Sequence, residues 1–265
     1  MKSSLSRGER LPASGAVVTT APSGDPAEAR ELAERFGLRA EPREGRTLGQ
    51  LLEDADAVLI LAARRADLYE RGRAYRATVG MAYLRVLRAR NRETDRLVAH
   101  AALRPGDSVL DATLGLGGDA LVAAHATGAP VVGLEKDRVI AAFTQAALRR
   151  LPKHGRDPGR LVRVICADHR AWLEDQPARS FDVVLLDPMF RRAGASGPLF
   201  DLLRARAEHA PLDAATLREA QRVARRGVLV KDAAPGRELQ RLGLTPEATR
   251  RSAAIAFGWA PAAQR

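Results

Sequence analysis

The chain predicts a parallel α/β sheet, doubly wound, with a smaller α/β unit ahead of it. Three observations carry that prediction. Strand and helix patterns alternate through the second half. Three apolar strands each stop at an acidic residue (Asp111, Glu135 and Asp187). A glycine turn containing Gly115, Gly117 and Gly118 follows the first of these acids and opens a helix at Asp119. Such alternation calls for crossover helices on both faces of the sheet and for ligands at the carboxyl ends of its strands. Every acid just named stands at such an end.

In chain order, residues 16–20 read as a short strand and 22–25 as a turn ending in a helix cap. Residues 26–36 read as a helix that opens on Pro26 and stops at Gly37. A second helix over 47–54 and a buried strand over 57–62 complete a small α/β unit, residues 1–72, which holds no metal-ligand or nucleophile constellation. Residues 73–104 are expected to form a basic helical connector. Arg71, Arg73 and Arg76 surround Tyr75 and lead into a helical run with arginines at 85, 88 and 90. Arginine interleaved with tyrosine can clasp a phosphate backbone and stack on bases. A connecting helix with a solvated face explains the same pattern, and the sequence leaves both readings open. The large domain is expected over residues 105–265. Its strands fall at 108–112, 131–135, 161–167, 181–186 and 227–231, its helices run from 119, over 138–151 and over 212–224, and a last antiparallel strand lies within 250–258.

The 265 residues suffice for a large domain and a small one. No apolar run approaches the length of a membrane span and the first residues lack a signal-peptide core, so a cytoplasmic protein without a membrane partner is expected. The single cysteine, Cys166, excludes an internal disulfide and is expected in a strand core. A formal charge of +11 favours a polyanionic partner. Only Lys2, Lys136, Lys153 and Lys231 among the 43 basic residues are lysines, and this arginine-rich, alanine-rich composition accounts for part of the excess.

Glycines after the first strand let the backbone turn tightly and approach a cofactor. A carboxylate at the end of the second strand suits a ribose diol. Dinucleotide dehydrogenases carry a glycine fingerprint without an acid ahead of it and have no counterpart of the Asp187-Pro188-Met189-Phe190 turn, so the combined pattern points to S-adenosylmethionine. Its sulfonium already activates the methyl group, and no metal is required. On this reading Asp111 sits near the methionine ammonium, Gly115, Gly117 and Gly118 pass beside the methionine moiety, and Glu135 takes the ribose. Asp168 accepts from the adenine amino group with His169 beside it. Asp119 and Asp168 also read as helix caps. In the Asp-Pro-Met-Phe turn, Asp187 and main-chain carbonyls can accept the hydrogens of a nucleobase amine while Phe190 stacks on the base. A proline turn with Phe190 in the core is the plainer alternative.

At these residues the sequence resembles the small-subunit ribosomal RNA guanine methyltransferases of the J type and their uncharacterised bacterial relatives. The resemblance rests on DATLGLGGDALV at 111–122, LEKD at 134–137, LLDPMF at 185–190 and VLVKDAAPG at 228–236, and spans most of residues 80–258. It implies a class I methyltransferase fold, S-adenosylmethionine as donor, and ribosomal RNA or the small ribosomal subunit as partner, with a guanine exocyclic amine as acceptor. Carried over by position, it implies cofactor contacts at Gly118, Asp119, Glu135, Lys136, Asp168, His169 and Asp187. It leaves Pro188 and Phe190 with more of the acceptor work. Gly118 and the Asp168-His169 pair depart from the best-known members. Two other readings stand beside this one: methylation of DNA amino groups or of protein, and a non-catalytic RNA-binding module with a relic cofactor pocket.

Overall fold

The computed structural model describes residues 15–70, 72–77, 80–90, 93–152, 157–188, 197–206, 211–247 and 254–264. The first elements are β1 (Ala16–Thr20), α1 (Pro26–Phe36), β2 (Arg39–Ala40), α2 (Leu48–Glu53), β3 (Ala57–Leu61), β4 (Ala66–Glu70) and β5 (Arg73–Arg76). Helix α1 starts where the sequence says: the Asp25 carboxylate accepts from the Ala27 N–H at 2.8 Å, Pro26 takes the first turn, and Gly37 closes the helix with φ of 63°. The strands form a five-stranded sheet in the order β2-β1-β3-β4-β5, parallel among β1, β2 and β3 and antiparallel from β3 to β5. Residues 73–76, expected in a helical connector, are therefore an edge strand. Tyr75, for which base stacking was one of two open readings, is only 2% exposed and belongs to the core, where the alternation of β5 turns it inward.

Helices α3 (Gly80–Arg90) and α4 (Arg96–His100) lead into β6 (Val109–Asp111), α5 (Gly118–Thr127), β7 (Val131–Glu135), α6 (Arg138–Arg149), α7 (Pro158–Leu161), β8 (Val162–Cys166), α8 (His169–Glu174) and β9 (Phe181–Leu186). The chain ends with α9 (Pro198–Arg206), α10 (Ala214–Val223), β10 (Ala224–Ala233), α11 (Arg237–Arg241) and β11 (Ile255–Pro261). Six strands make the second sheet in the order β11-β10-β9-β6-β7-β8, all parallel except β11, which pairs antiparallel with β10. The wound sheet and its closing antiparallel strand match the expectation. No described helix is long and apolar enough to cross a membrane.

Helix α6 joins the two sheets. Asp137 caps it, accepting from the N–H groups of Val139 and Ile140 at 2.8 and 2.9 Å. Almost every residue from Val139 to Leu148 is buried, Phe143 at 1% exposure, because one side of the helix meets the large sheet and another meets α1, β3 and β4. Phe36, Leu59, Leu61 and Leu68 of the first unit and Ile140, Phe143 and Val164 of the second belong to one continuous core. Ion pairs and a main-chain bond rim it: Arg150 donates to Glu28 at 2.7 and 2.9 Å, Arg149 to Glu31 at 2.9 Å, and Arg35 to the Val164 carbonyl at 2.6 Å. The opposite face of the large sheet packs a separate core against α8, α10 and α11, including Leu110, Val184, Leu217 and Leu239.

A shared helix makes the two sheets one cooperative unit. Phe143→Ala is expected to cost about 3–5 kcal/mol, the usual range for a phenylalanine emptied from a core. Chemical denaturation followed by probes placed in each sheet should give coincident, equally shifted midpoints. A loss confined to one sheet would contradict a shared core.

Candidate functional site

Strand β6 lies between β7 and β9, so the winding reverses beside it, and the crevice beyond these strand ends is where such sheets take ligands. A cleft of about 930 Å³ opens there, a size suited to a nucleoside-like ligand. Asp111, Thr113, Gly115, Gly118 and Asp119 line it from the loop after β6 and the start of α5. Glu135 and Lys136 follow β7, His169 follows β8, Asp187 and Pro188 follow β9, and Lys231 projects from β10. Helix α9 supplies a further wall with Leu199, Phe200, Leu203 and Arg206. Of the residues expected here, Gly117 and Asp168 fall outside the lining, and Phe190 lies outside the described residues.

Hydrogen bonds hold the glycine loop on all sides. Gly115 and Gly117 have φ of 51° and 75°, where a β-carbon is strained, and Gly117 caps α5. The space beside these glycines is filled by the protein itself: a β-carbon on Gly117 would stand 3.1 Å from Thr144 Cγ2, and one on Gly115 would touch Leu203. The expected close approach to a cofactor is thus not what Gly117 serves. Thr144 Oγ1 donates to the Gly115 carbonyl at 2.8 Å, and the Gly115 N–H donates to Glu135 Oε2 at 3.1 Å. The Asp137 N–H donates to Glu135 Oε1 at 2.8 Å. Glu135 therefore braces the loop from the second strand end. Burial pushes its pKa up to about 7.

Asp111 is 2% exposed and accepts from the Thr113 N–H at 3.2 Å. Burial, and then the neighbouring Asp119 charge, push its pKa up to about 7. Thr113 also ties two strand ends together, its Oγ1 accepting from the Asp187 N–H at 2.6 Å. Asp119, one of two candidate caps, receives Arg85 Nη1 at 2.7 Å and Lys231 Nζ at 2.5 Å. Burial opposes its ionisation, but Lys231 and Arg85 together outweigh burial and hold its pKa below the ordinary range. Lys231 also donates to Asp187 Oδ2. The side chain of Asp187 keeps 39% of its surface, directed at a cleft rather than at bulk water, and desolvation outweighs Lys231 to raise its pKa. The two carboxylates that share Lys231 are thus pushed apart, Asp187 being the more basic.

Asp168 is a helix cap: its Oδ1 accepts from the Arg170 N–H at 2.9 Å, and its Oδ2 pairs with Lys136 at 2.9 Å. Lys136 and His169 line the cavity, and Asp168 lies just outside its lining. Cys166 is on β8 as expected but only half-buried, and burial pushes its thiol up to about 11, which leaves it unreactive. Arg85 was expected among arginines facing RNA or solvent. Instead it turns inward, gripping Asp95 with two bonds of 2.8 Å as well as Asp119. Lys231 and Arg206 carried no role in the sequence reading, although VLVKDAAPG contains, among the described residues, the one lysine on a strand. Arg206 joins Glu70 of β4 (2.7 Å) to Asp137 at the start of α6 (3.0 Å), so the first sheet reaches the cleft wall.

A family model described as "Putative SAM-dependent methyltransferase" matches residues 46–248. The chain belongs to this methyltransferase family. Among relatives of the methyltransferase, the "Uncharacterized protein YpiP" of Bacillus subtilis is 31% identical over 222 residues, 77% of this chain and 82% of that protein. "Ribosomal RNA small subunit methyltransferase J" of Alkalilimnicola ehrlichii is 34% identical over 171 residues, 61% of this chain and 64% of that protein. A crystal structure of a SAM-dependent methyltransferase from Neisseria gonorrhoeae has the same fold, with a TM-score of 0.61 at 21% identity, covering 93% of this chain and 96% of that one. The fold is that of class I methyltransferases, and the cofactor is S-adenosylmethionine.

The donor set fits that cofactor. Asp111, Asp119 and Asp187 influence one another electrostatically around Lys231 and Arg85, which suits a ligand bearing an ammonium and a sulfonium. The helix start that binds a pyrophosphate in dinucleotide folds carries here Asp119 in its first turn. Burial raises Asp111 and Glu135 to about 7, and a carboxyl that accepts from the ligand's ammonium or ribose does so best when ionised. Binding of S-adenosylhomocysteine should therefore release protons and weaken as pH falls below about 7, as calorimetry in buffers of different protonation enthalpy will read. Glu135→Ala is expected to weaken binding by about 1–3 kcal/mol, the cost of leaving polar groups unpaired. Unchanged affinity would remove Glu135 from the site.

Proposed function

We propose that this methyltransferase acts on an exocyclic amino group of guanine in small-subunit ribosomal RNA. The observation that carries the reading is the placement of Asp187 and Pro188: they follow β9 directly and line the cleft beside Asp111 and Asp119. The names of several relatives, ribosomal RNA small subunit methyltransferases J, support the same acceptor. S-adenosylmethionine supplies a methyl group on a sulfonium, which leaves as the neutral thioether. Asp111, with Asp119 nearby, holds the cationic end of that ligand, Glu135 the ribose, and Lys136 and His169 the adenine end. Asp187 accepts the hydrogens of the acceptor amine and takes the one proton that the nitrogen must lose, a role suited to the more basic of two coupled carboxylates.

The approach surface supports a polyanion. Arg73 on edge strand β5 is exposed, the Arg76 side chain is 64% exposed beside Asp67, and β5 runs next to α9, which lines the cleft. Phe200 of α9 is an exposed ring on the cleft wall, 41% accessible, where a base can stack. An RNA acceptor of this kind belongs to the cytoplasm.

Transfer of labelled methyl groups to small ribosomal subunits, naked DNA and protein tests the reading, with label expected in RNA of the subunits. Label in DNA or protein alone would favour the other acceptors. Replacing Arg73 and Arg76 with glutamine should weaken RNA binding and flatten its salt dependence by about two counterions if both meet phosphates. Affinity for S-adenosylhomocysteine should not change. An unaltered salt slope would assign these arginines to a solvated face.

A further inference from the structure

We propose that Lys231 is a positioning residue for the acceptor step, fixing the Asp187 carboxylate in the cleft through an ionic hydrogen bond. The proposal rests on the reading of Asp187 as the group that meets the acceptor amine. Strands β9 and β10 pair in parallel with Leu186 opposite Val230, so the next residues, Asp187 and Lys231, arrive side by side at the strand ends. The ammonium of Lys231 donates to Asp187 Oδ2 and, at 2.5 Å, to Asp119 Oδ2. Asp119 is held in turn by Arg85, and Arg85 by two bonds to Asp95, the cap of α4. A file of alternating charge thus runs from α4 to the cleft and ends on Asp187.

The arrangement has two consequences for Asp187. Its neighbours bear charges of both signs: Lys231 from β10, Arg85 from α3, Asp119 from α5 and Asp111 from β6. Among the described residues Lys231 is the cation it pairs with. Without that ammonium, three carboxylates would face one another across the strand ends with Arg85 as their nearest counter-charge. A lysine already fixed by Asp119 can hold one oxygen of Asp187 in place and leave the other directed to the acceptor, which a freely rotating carboxylate would not do. Lys231 is also 13% exposed, so water does not replace it.

The experiment compares Lys231→Met and Lys231→Arg in the full chain. Three readouts are taken: kcat and its pH profile on whichever acceptor takes the label, affinity for S-adenosylhomocysteine, and titration of the Asp187 carboxyl by carbon-13 resonance, assigned with Asp187→Asn. Lys231→Met is expected to lower kcat by about a hundredfold, the scale of a misplaced catalytic group. It should raise the Asp187 titration midpoint by about one unit or more, since an opposite charge is lost, and move the acid limb of the kcat profile with it. Lys231→Arg should restore most of both. Affinity for S-adenosylhomocysteine should hold, because the Lys231 ammonium is engaged by Asp119 and Asp187 rather than by the ligand. An unmoved Asp187 titration, or a wild-type kcat in Lys231→Met, overturns the proposal. So does a loss of ligand affinity as large as the loss of kcat/KM, which would make Lys231 part of the cofactor's seat. If Lys231→Met does not fold, Lys231→Arg decides: an Asp187 titration or kcat profile unlike wild type despite the kept charge overturns it. The titration needs no RNA, so a wrong acceptor and a wrong role for Lys231 give different results.

Discussion

The burial of α6 on more than one side is the constraint from which the rest follows. A helix that covers one sheet needs a single apolar stripe, yet this one also meets α1, β3 and β4, and so it carries Ala141, Ala142 and Ala146 for close approach along with Ile140, Phe143 and Leu148 for filling. Its cap, Asp137, lies beside Glu135, and its Thr144 holds the glycine loop. The element that welds the two sheets together is therefore also the one that sets the floor of the cleft. The family match begins at residue 46, inside the first unit, and so takes in β3 and β4, against which α6 packs.

Around that frame the charges are ordered by desolvation. Carboxylates at the ends of β6, β7 and β9 are removed from water to different degrees and given different partners. Asp119 has two cations, Asp187 shares one, and Asp111 and Glu135 have backbone N–H groups. Their pKa values shift accordingly, Asp119 downward and Asp111, Glu135 and Asp187 upward, although their intrinsic strengths are nearly equal. One type of side chain thereby stands in several different electrostatic settings within a single cleft.

Much of this was legible in the sequence, for identifiable reasons. The strands ending in Asp111, Glu135 and Asp187 are short apolar runs stopped by acids, and Pro26 and Gly37 punctuate α1 by backbone geometry alone, so local chemistry sufficed. Asp168 shows the limit: cap and ligand readings require the same residue at the same place, and only the bonds to Arg170 and Lys136 separate them. Arg85, Lys231 and Arg206 were missed because their partners lie 34, 112 and 136 residues away in the chain, beyond any periodic pattern. Tyr75 misled because an arginine-rich edge strand and a basic recognition segment have the same composition.

The two walls of the cleft are built on different principles. The loop after β6 is tied by threonine bonds to the buried α6 and to the end of β9, whereas α9 adds to the packing of its buried Leu202 an ionic tie, the Arg206 guanidinium on Glu70 and Asp137. Hydrogen bonds inside a core are indifferent to dissolved ions; a partly exposed ion pair is weakened by them. Rising ionic strength will slacken the tie of α9 to the first sheet while its apolar packing persists, so the rate at which spent donor leaves and fresh donor arrives carries its own salt dependence.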